Sequence, residues 1–183
     1  RNPLAEPGLI GVSASAALGA VIAIQLGASA LGMTVPLAAL GGALGGVALI
    51  LMLAGRGGGS FALILGGIAV SALAGALTAL VLNLSPNPFA AYDIMFWTMG
   101  SLADRSWAHV AAAAPVMALG WVALALTGRG LDALTLGEEA AASLGVDLAR
   151  LRLTVVLGTA AAVGAATAVA GAIGFVGLVV PHL

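Results

Sequence analysis

The sequence predicts an all-α membrane protein, a polytopic bundle of transmembrane helices. Its 183 residues are 62% hydrophobic and only 7% charged, with a mean hydropathy of +1.18. A soluble domain carries about 25% charged residues, so this composition cannot build a water-facing surface and the solvent is lipid. Crossing a hydrocarbon core of about 30 Å takes about 20 helical residues. Five apolar runs are long enough, 9–31, 36–54, 61–84, 108–127 and 153–171, and a sixth begins near Ile173. They are continuously apolar and rich in Ala, Leu and Gly, without the period-two alternation of a barrel strand, so helices are preferred.

The bulk numbers exclude several function classes. A net charge of −1 is incompatible with a polybasic nucleic-acid surface. The absence of cysteine removes disulfides, thiol catalysis and cysteine-bound metal. The chain begins at Arg1 and stops at Leu183 directly after an apolar run, and it reads as an internal fragment of a longer protein. All six cations are arginine. With 128–152 on the cytoplasmic side, Arg1, Arg56, Arg129, Arg150 and Arg152 fall inside and only Arg105 outside. That distribution obeys the positive-inside rule, and the flipped topology violates it.

Taken in order, the opening RNPLAEPG is a proline-containing inner turn. The first run carries Gly11, Ser15 and Gly19 at four-residue spacing. The second offers two such pairs, Gly41/Gly45 and Gly42/Gly46, and the third has Gly67, Ser71 and Gly75. Small residues at this spacing let helix backbones approach closely in lipid, which predicts a tight bundle. The outer segment 85–107 holds Tyr92, Trp97 and Trp107, rings that favour the membrane interface. A short surface helix is expected there, from Tyr92 to Leu102. It is either part of an outer mouth touching a ligand or soluble partner, or an ordinary aromatic belt. His109 reads as an interfacial residue at the start of the fourth run, which Pro115 kinks. Trp121 reads as packing or interface anchoring. The fifth run is small-sided and leads into GAIGFVGLVVPHL, where Gly171, Gly174 and Gly177 suit an irregular turn or a close helix crossing.

The stretch LGEEAAASLGVDLARLRL, 136–153, is chemically unlike the rest. Arg129, Asp132, Glu138, Glu139, Asp147, Arg150 and Arg152 cluster in or beside it. Thr135 and Glu138 have capping-box spacing, which predicts a helix starting at Leu136. Gly145 is its expected stop and Asp147 the cap of the next helix. A helix of about nine residues falls below the length at which isolated helices are even marginal in water. It needs a surface to lie on, and Leu136, Ala140 and Leu144 form an apolar stripe for it. That surface is either another protein or the chain's own bundle and headgroup layer.

Three stretches, RNPLAEPGLIGVS, LGEEAAASLGVDLARLRL and GAIGFVGLVVPHL, with FWTMGSL as a weaker fourth, resemble one family in order and spacing. It is the membrane permease of bacterial ABC importers for iron–siderophores, haem and cobalamin, of the FecCD type. The resemblance covers the whole chain and implies the type II importer fold. It implies a single transmembrane permease domain over 1–183, cut from a subunit of about ten helices of about 20 residues each. This chain would supply the third to seventh helices and the start of the eighth. It implies no enzymatic chemistry and no cofactor. The partners implied are cytoplasmic ATP-binding subunits, a periplasmic or lipoprotein substrate-binding protein, and a second permease subunit in a homodimer or pseudo-dimer, all at the bacterial inner membrane. Gly137, Glu138, Glu139, Ala140, Ala141, Leu144 and Gly145 match the helices that dock on the ATPase. Asn2, Pro3, Leu4 and Ser60 fall where the translocation path narrows. Trp97, Asp104 and Arg105 would face the binding protein. The resemblance implies transport by alternating access.

Three rival classes stand beside this reading, the third being a purely structural assembly subunit, from which the capped loop over 136–153 distinguishes an ATP-driven permease. An intramembrane enzyme needs a nucleophile with a base, or ligands at metal spacing. The sequence contains no GxSxG, no HExxH and no acidic pair inside a run. An ion-coupled secondary transporter or channel is the alternative, but such proteins place ionisable residues within their spans.

Overall fold

The computed structural model describes residues 11–27, 33–55, 59–103 and 105–173. Eight helices are present among them: α1 (Val12–Gln25), α2 (Thr34–Ala54), α3 (Ser60–Asn83), α4 (Pro88–Met99), α5 (Trp107–Leu126), α6 (Gly128–Leu134), α7 (Glu138–Ser143) and α8 (Leu148–Ala170). Four stretches, Thr34–Ala54, Phe61–Asn83, Trp107–Leu126 and Leu148–Ala170, are long and apolar enough to cross a membrane. The expectation of an all-α membrane bundle is met.

The helix α1 is shorter than its apolar run. At 14 residues it rises only about 21 Å. It stops because Gly27 turns to φ 79° and donates to the Ile24 carbonyl at 2.9 Å. Hydropathy sees an unbroken run there and cannot see the turn. In exchange α1 is the most enclosed element, with Val12, Ala16, Ala20 and Val21 fully buried among α2, α3, α4 and α8.

Small residues set that enclosure. A Cβ on Gly42 would lie 3.0 Å from the Gly19 Cα and collide with the Ser15 carbonyl. A Cβ on Gly46 would run into the Ser15 side chain, and one on Gly19 into the Ala38 carbonyl. Of the two glycine pairs on α2, only Gly42/Gly46 faces α1; Gly41 and Gly45 meet nothing within 4 Å among the described residues. Gly67 and Ser71 of α3 approach Gly11, so the α3 motif serves the same crossing, while Gly75 faces open space.

A second close crossing joins α5 to α8. A Cβ on Gly120 would sit 2.6 Å from the Gly158 carbonyl and 2.7 Å from the Ala162 nitrogen. Gly164, further along α8, faces Ala43 and Val12. Helix α8 is therefore shared by both halves of the bundle, and it is the most buried of the long helices. The outward faces carry Leu37, Leu44, Leu53, Ile64, Leu73, Leu119 and Val122, all exposed. Apolar exposure on this scale fits a lipid solvent.

The short helix between α3 and α5 starts earlier than expected, at Pro88 and not Tyr92. Asn87 caps it, its side chain accepting a 3.0 Å bond from the Phe89 amide, and Pro88 takes the first helical position. Both are recognised helix-start signals in the sequence. Helix α4 rests on the bundle through Ile94, which is buried, while Phe89, Tyr92 and Met99 point outward.

Candidate functional site

The charged cluster forms a compact structure at one end of the bundle. Helix α5 breaks at Thr127, whose hydroxyl donates to the Leu124 carbonyl at 2.6 Å, and the chain turns directly into α6. The loop expected over 128–134 is helical instead, although Gly128 and Gly130 are poor helix formers. Packing overrides that preference: Gly130 lies against Leu151 of α8, and a Cβ there would come within 2.8 Å of the leucine methyl.

Helix α7 begins two residues later than predicted, at Glu138. The expected capping box is not formed. The Thr135 hydroxyl instead donates back to the Asp132 carbonyl at 2.7 Å, which closes α6. Gly137 occupies the N-cap position with φ 100°. The stop signal does operate as expected. Gly145 takes φ 83°, its amide bonds the Ala142 carbonyl at 2.9 Å, and the Val146 amide bonds the Ala141 carbonyl at 3.1 Å. This pair of bonds is the Schellman closure.

Asp147 caps α8 as predicted, accepting from the Arg150 amide at 3.0 Å. Asp147→Ala is expected to lower stability by about 1 kcal/mol, and Asp147→Asn by much less, since asparagine keeps the acceptor. Thermal unfolding of the purified protein checks this.

The orientation of α7 is its most informative property. Ala141 is its one fully buried side chain. Leu136 and Leu144, two members of the predicted stripe, are 68% and 66% exposed. Ala140 is half-buried, and Glu139, Ala142, Ser143 and Gly145 are exposed. The two leucines that flank α7, Leu136 before its N-cap and Leu144 at its C-cap, are therefore not covered by the described part of the bundle. Glu138 turns the other way, its Oε2 2.6 Å from the Arg152 Nη2 at the base of α8. That pairing was not legible in the sequence, because two opposite charges on separate helices have no diagnostic spacing.

The opposite end of α8 is held differently. Its 23 residues carry it roughly 34 Å from the α7 end. There the Ser101 amide donates to the Ala170 carbonyl at 2.7 Å, and Gly171, with φ 76°, lies against Trp97 and Gly100. Trp97 is half-buried and packs on the core, whereas Arg105 is exposed, its Nε donating to the Ser101 carbonyl at 3.3 Å. His109 bonds the hydroxyl and amide of Ser106 through Nδ1, at 2.9 and 3.3 Å, which secures the start of α5. Asn2, Pro3, Leu4, Asp104 and the segment 174–183 lie outside the described residues, as does the side chain of Ser60, the first residue of α3.

Between α1, α2 and α3 runs an open apolar groove of about 260 Å³, lined by Ser15, Gly19, Gly42, Leu49, Val70 and Ala74 among others. It offers no charged group, so it has nothing with which to orient a polar ligand. Among the described residues no group of three His, Asp or Glu side chains stands close enough to hold a metal ion.

Residues 1–183 match the FecCD transport family. The chain belongs to that family. It is 41% identical over its whole length to the cobalamin import system permease protein BtuC of Halobacterium salinarum, covering 49% of that protein. It is 38% identical to the hemin transport system permease protein HmuU of Yersinia pestis, covering 56%. Identity to the Bacillus subtilis ABC transporter permease protein YvrB is 34%, over 53% of its length. Among solved structures, it superposes on an inward-facing conformation of a transporter assigned to the metal-chelate ABC type. That match has a TM-score of 0.89 and 33% identity, and it covers all of this chain and 58% of the other. The chain spans about half the length of the curated relatives it matches. These FecCD relatives are named as permeases, not as enzymes.

Proposed function

We propose that this chain is part of the membrane permease of an ATP-driven importer. It would carry a metal chelate of the cobalamin, haem or iron–siderophore class across the bacterial inner membrane by alternating access. The observation that carries the reading is α7. A six-residue helix is far too short to persist alone. It nevertheless has defined ends, one buried anchor, and two leucines held out from its own bundle. A shape of this kind suits the groove of a soluble partner. On this reading the segment Gly137, Glu138, Glu139, Ala140, Ala141, Leu144 and Gly145 docks on a cytoplasmic ATP-binding subunit.

The remaining assignments follow the same topology. The α4 end, with Trp97, Asp104 and Arg105, faces a substrate-binding protein outside. Asn2, Pro3, Leu4 and Ser60 narrow the path toward the cytoplasm. The whole of 1–183 forms one transmembrane unit, and a second permease subunit completes the pathway at a two-fold or pseudo-two-fold axis. ATP binding closes the ATPase pair, α7 moves with it, and the helices rock so that the gates exchange. The substrate shifts this equilibrium only through its different affinity for the two states.

Reconstitution of the full-length permease with its ATPase and binding protein in proteoliposomes tests the reading. Labelled cobalamin, haemin and a ferric siderophore are offered in turn. One of them is expected to accumulate, and only with ATP inside the assay. Accumulation driven by an ion gradient without ATP would establish the secondary-transporter alternative instead.

A further inference from the structure

Glu138 and Glu139 are neighbours in sequence but face different surroundings. Both are exposed, Glu138 with 52% of its side chain, but Glu138 reaches back to Arg152, whose side chain is only 19% exposed. The contact is a close ion pair between a half-buried guanidinium and a more exposed carboxylate. Arg152 stands one residue beyond Leu151, which is buried against Gly130 of α6. It lies in the turn after the Asp147 cap. Its backbone is therefore fixed. Helix α7 has little else to hold it, since Ala141 is its one buried residue. From Arg152 onward α8 runs through its close crossing with α5, packs Gly164 against Ala43 and Val12, and ends in the Ala170–Ser101 bond and the Gly171 contact with α4.

We propose that Glu138 and Arg152 form the strut that ties α7 to α8, so that Glu138 is a positioning residue within this chain and Glu139 is the acidic side chain offered to the partner. The assignment rests on α7 being the docked helix. It divides two glutamates that the sequence presents as equivalent. A displacement of α7 passes through the strut to α8, and along α8 to the α4 end.

The test uses the full-length importer with its ATPase and binding protein in proteoliposomes. It reads ATPase retention on purification, ATP hydrolysis, and uptake per ATP hydrolysed. Arg152→Glu is expected to keep the ATPase bound and hydrolysing while uptake per ATP falls about fivefold, the size of effect a partly exposed ion pair supports. The exchange E138R/R152E is expected to bring uptake per ATP back to within about twofold of the wild type, because the pair is re-formed with its charges reversed. Unchanged coupling in Arg152→Glu, or an exchange variant that stays defective, overturns the strut. If Arg152→Glu does not reach the membrane, the neutral variants E138Q and R152Q decide the matter. Their effects on coupling are expected to be non-additive, and additive effects overturn the proposal. Glu139→Arg is measured in parallel. If it leaves retention and coupling intact, the docking of α7 is itself wrong, whatever the strut does.

Discussion

Glu139→Arg in the full-length importer is expected to reduce ATP-driven uptake by about tenfold or more, the consequence of losing about 1.4 kcal/mol at a docked interface. The permease should still fold and reach the membrane. Glu139 is exposed on α7, so its replacement leaves the packed core intact and costs only the modest dipole interaction of an acidic first-turn residue. Reversing a charge against a complementary partner surface costs up to several kcal/mol, so most of the effect appears in docking. Gly145→Val should give a loss at least as large by a different route. Gly145 sits at φ 83°, a conformation that a β-branched residue resists, and forcing it there costs about 1–3 kcal/mol. The two amide bonds that close α7 would be lost with it. A six-residue helix has no further turns to absorb that loss. Proteoliposome uptake, normalised to permease in the membrane, measures both. Wild-type uptake from Glu139→Arg would remove the main support for α7 as a docking element.

Gly42→Ala and Gly41→Ala are expected to change stability in opposite directions. They are adjacent glycines on one helix, so intrinsic propensity favours alanine at both by up to about 1 kcal/mol. At Gly41 nothing described stands within 4 Å, and that preference is free to act. At Gly42 the added methyl meets the backbone of Ser15 and Gly19, which cannot move aside by changing a rotamer. Overpacking of this kind costs about 1–3 kcal/mol, enough to reverse the sign. Gly42→Val should be worse still. Thermal unfolding of the purified full-length permease in detergent reads the difference. Equal shifts at the two positions would mean that α1 and α2 do not cross where described.

These two predictions also mark how far the sequence could be read. Composition and the apolar runs were sufficient for the membrane bundle, because lipid demands long apolar helices and little else satisfies it. The small-residue spacing on α2 announced a close crossing but offered two equivalent faces. Only the position of α1 selects Gly42 and Gly46 over Gly41 and Gly45. Local end signals fared according to whether their bonds were contested. Gly145 and Asp147 act as expected, each making the local bond that its position offers. Thr135 does not, because the Asp132 carbonyl is within its reach and the α6 turn claims it. Helix α6 carries no local signal, because Gly128 and Gly130 argue against a helix and the close approach of Gly130 to Leu151 joins residues far apart in sequence. The start of α4 could have been found, since Asn87–Pro88 is a cap followed by a favoured first residue. The expected stripe Leu136, Ala140, Leu144 does not form as one helical face, because α7 starts at Glu138 and Leu136 stands before its Gly137 N-cap. Four-residue spacing defines a face only where the helix runs unbroken, and Gly137 at φ 100° breaks it.

These 183 residues contain no cysteine, which suits a direct test of where α7 stands. In an otherwise cysteine-free full-length permease, Leu144→Cys is labelled with a membrane-impermeant maleimide in vesicles of known sidedness, with and without the ATPase subunit. The account predicts labelling from the cytoplasmic side alone, and protection of Cys at that position when the ATPase is bound. Labelling from the external side, or labelling that the ATPase leaves unchanged, would contradict it.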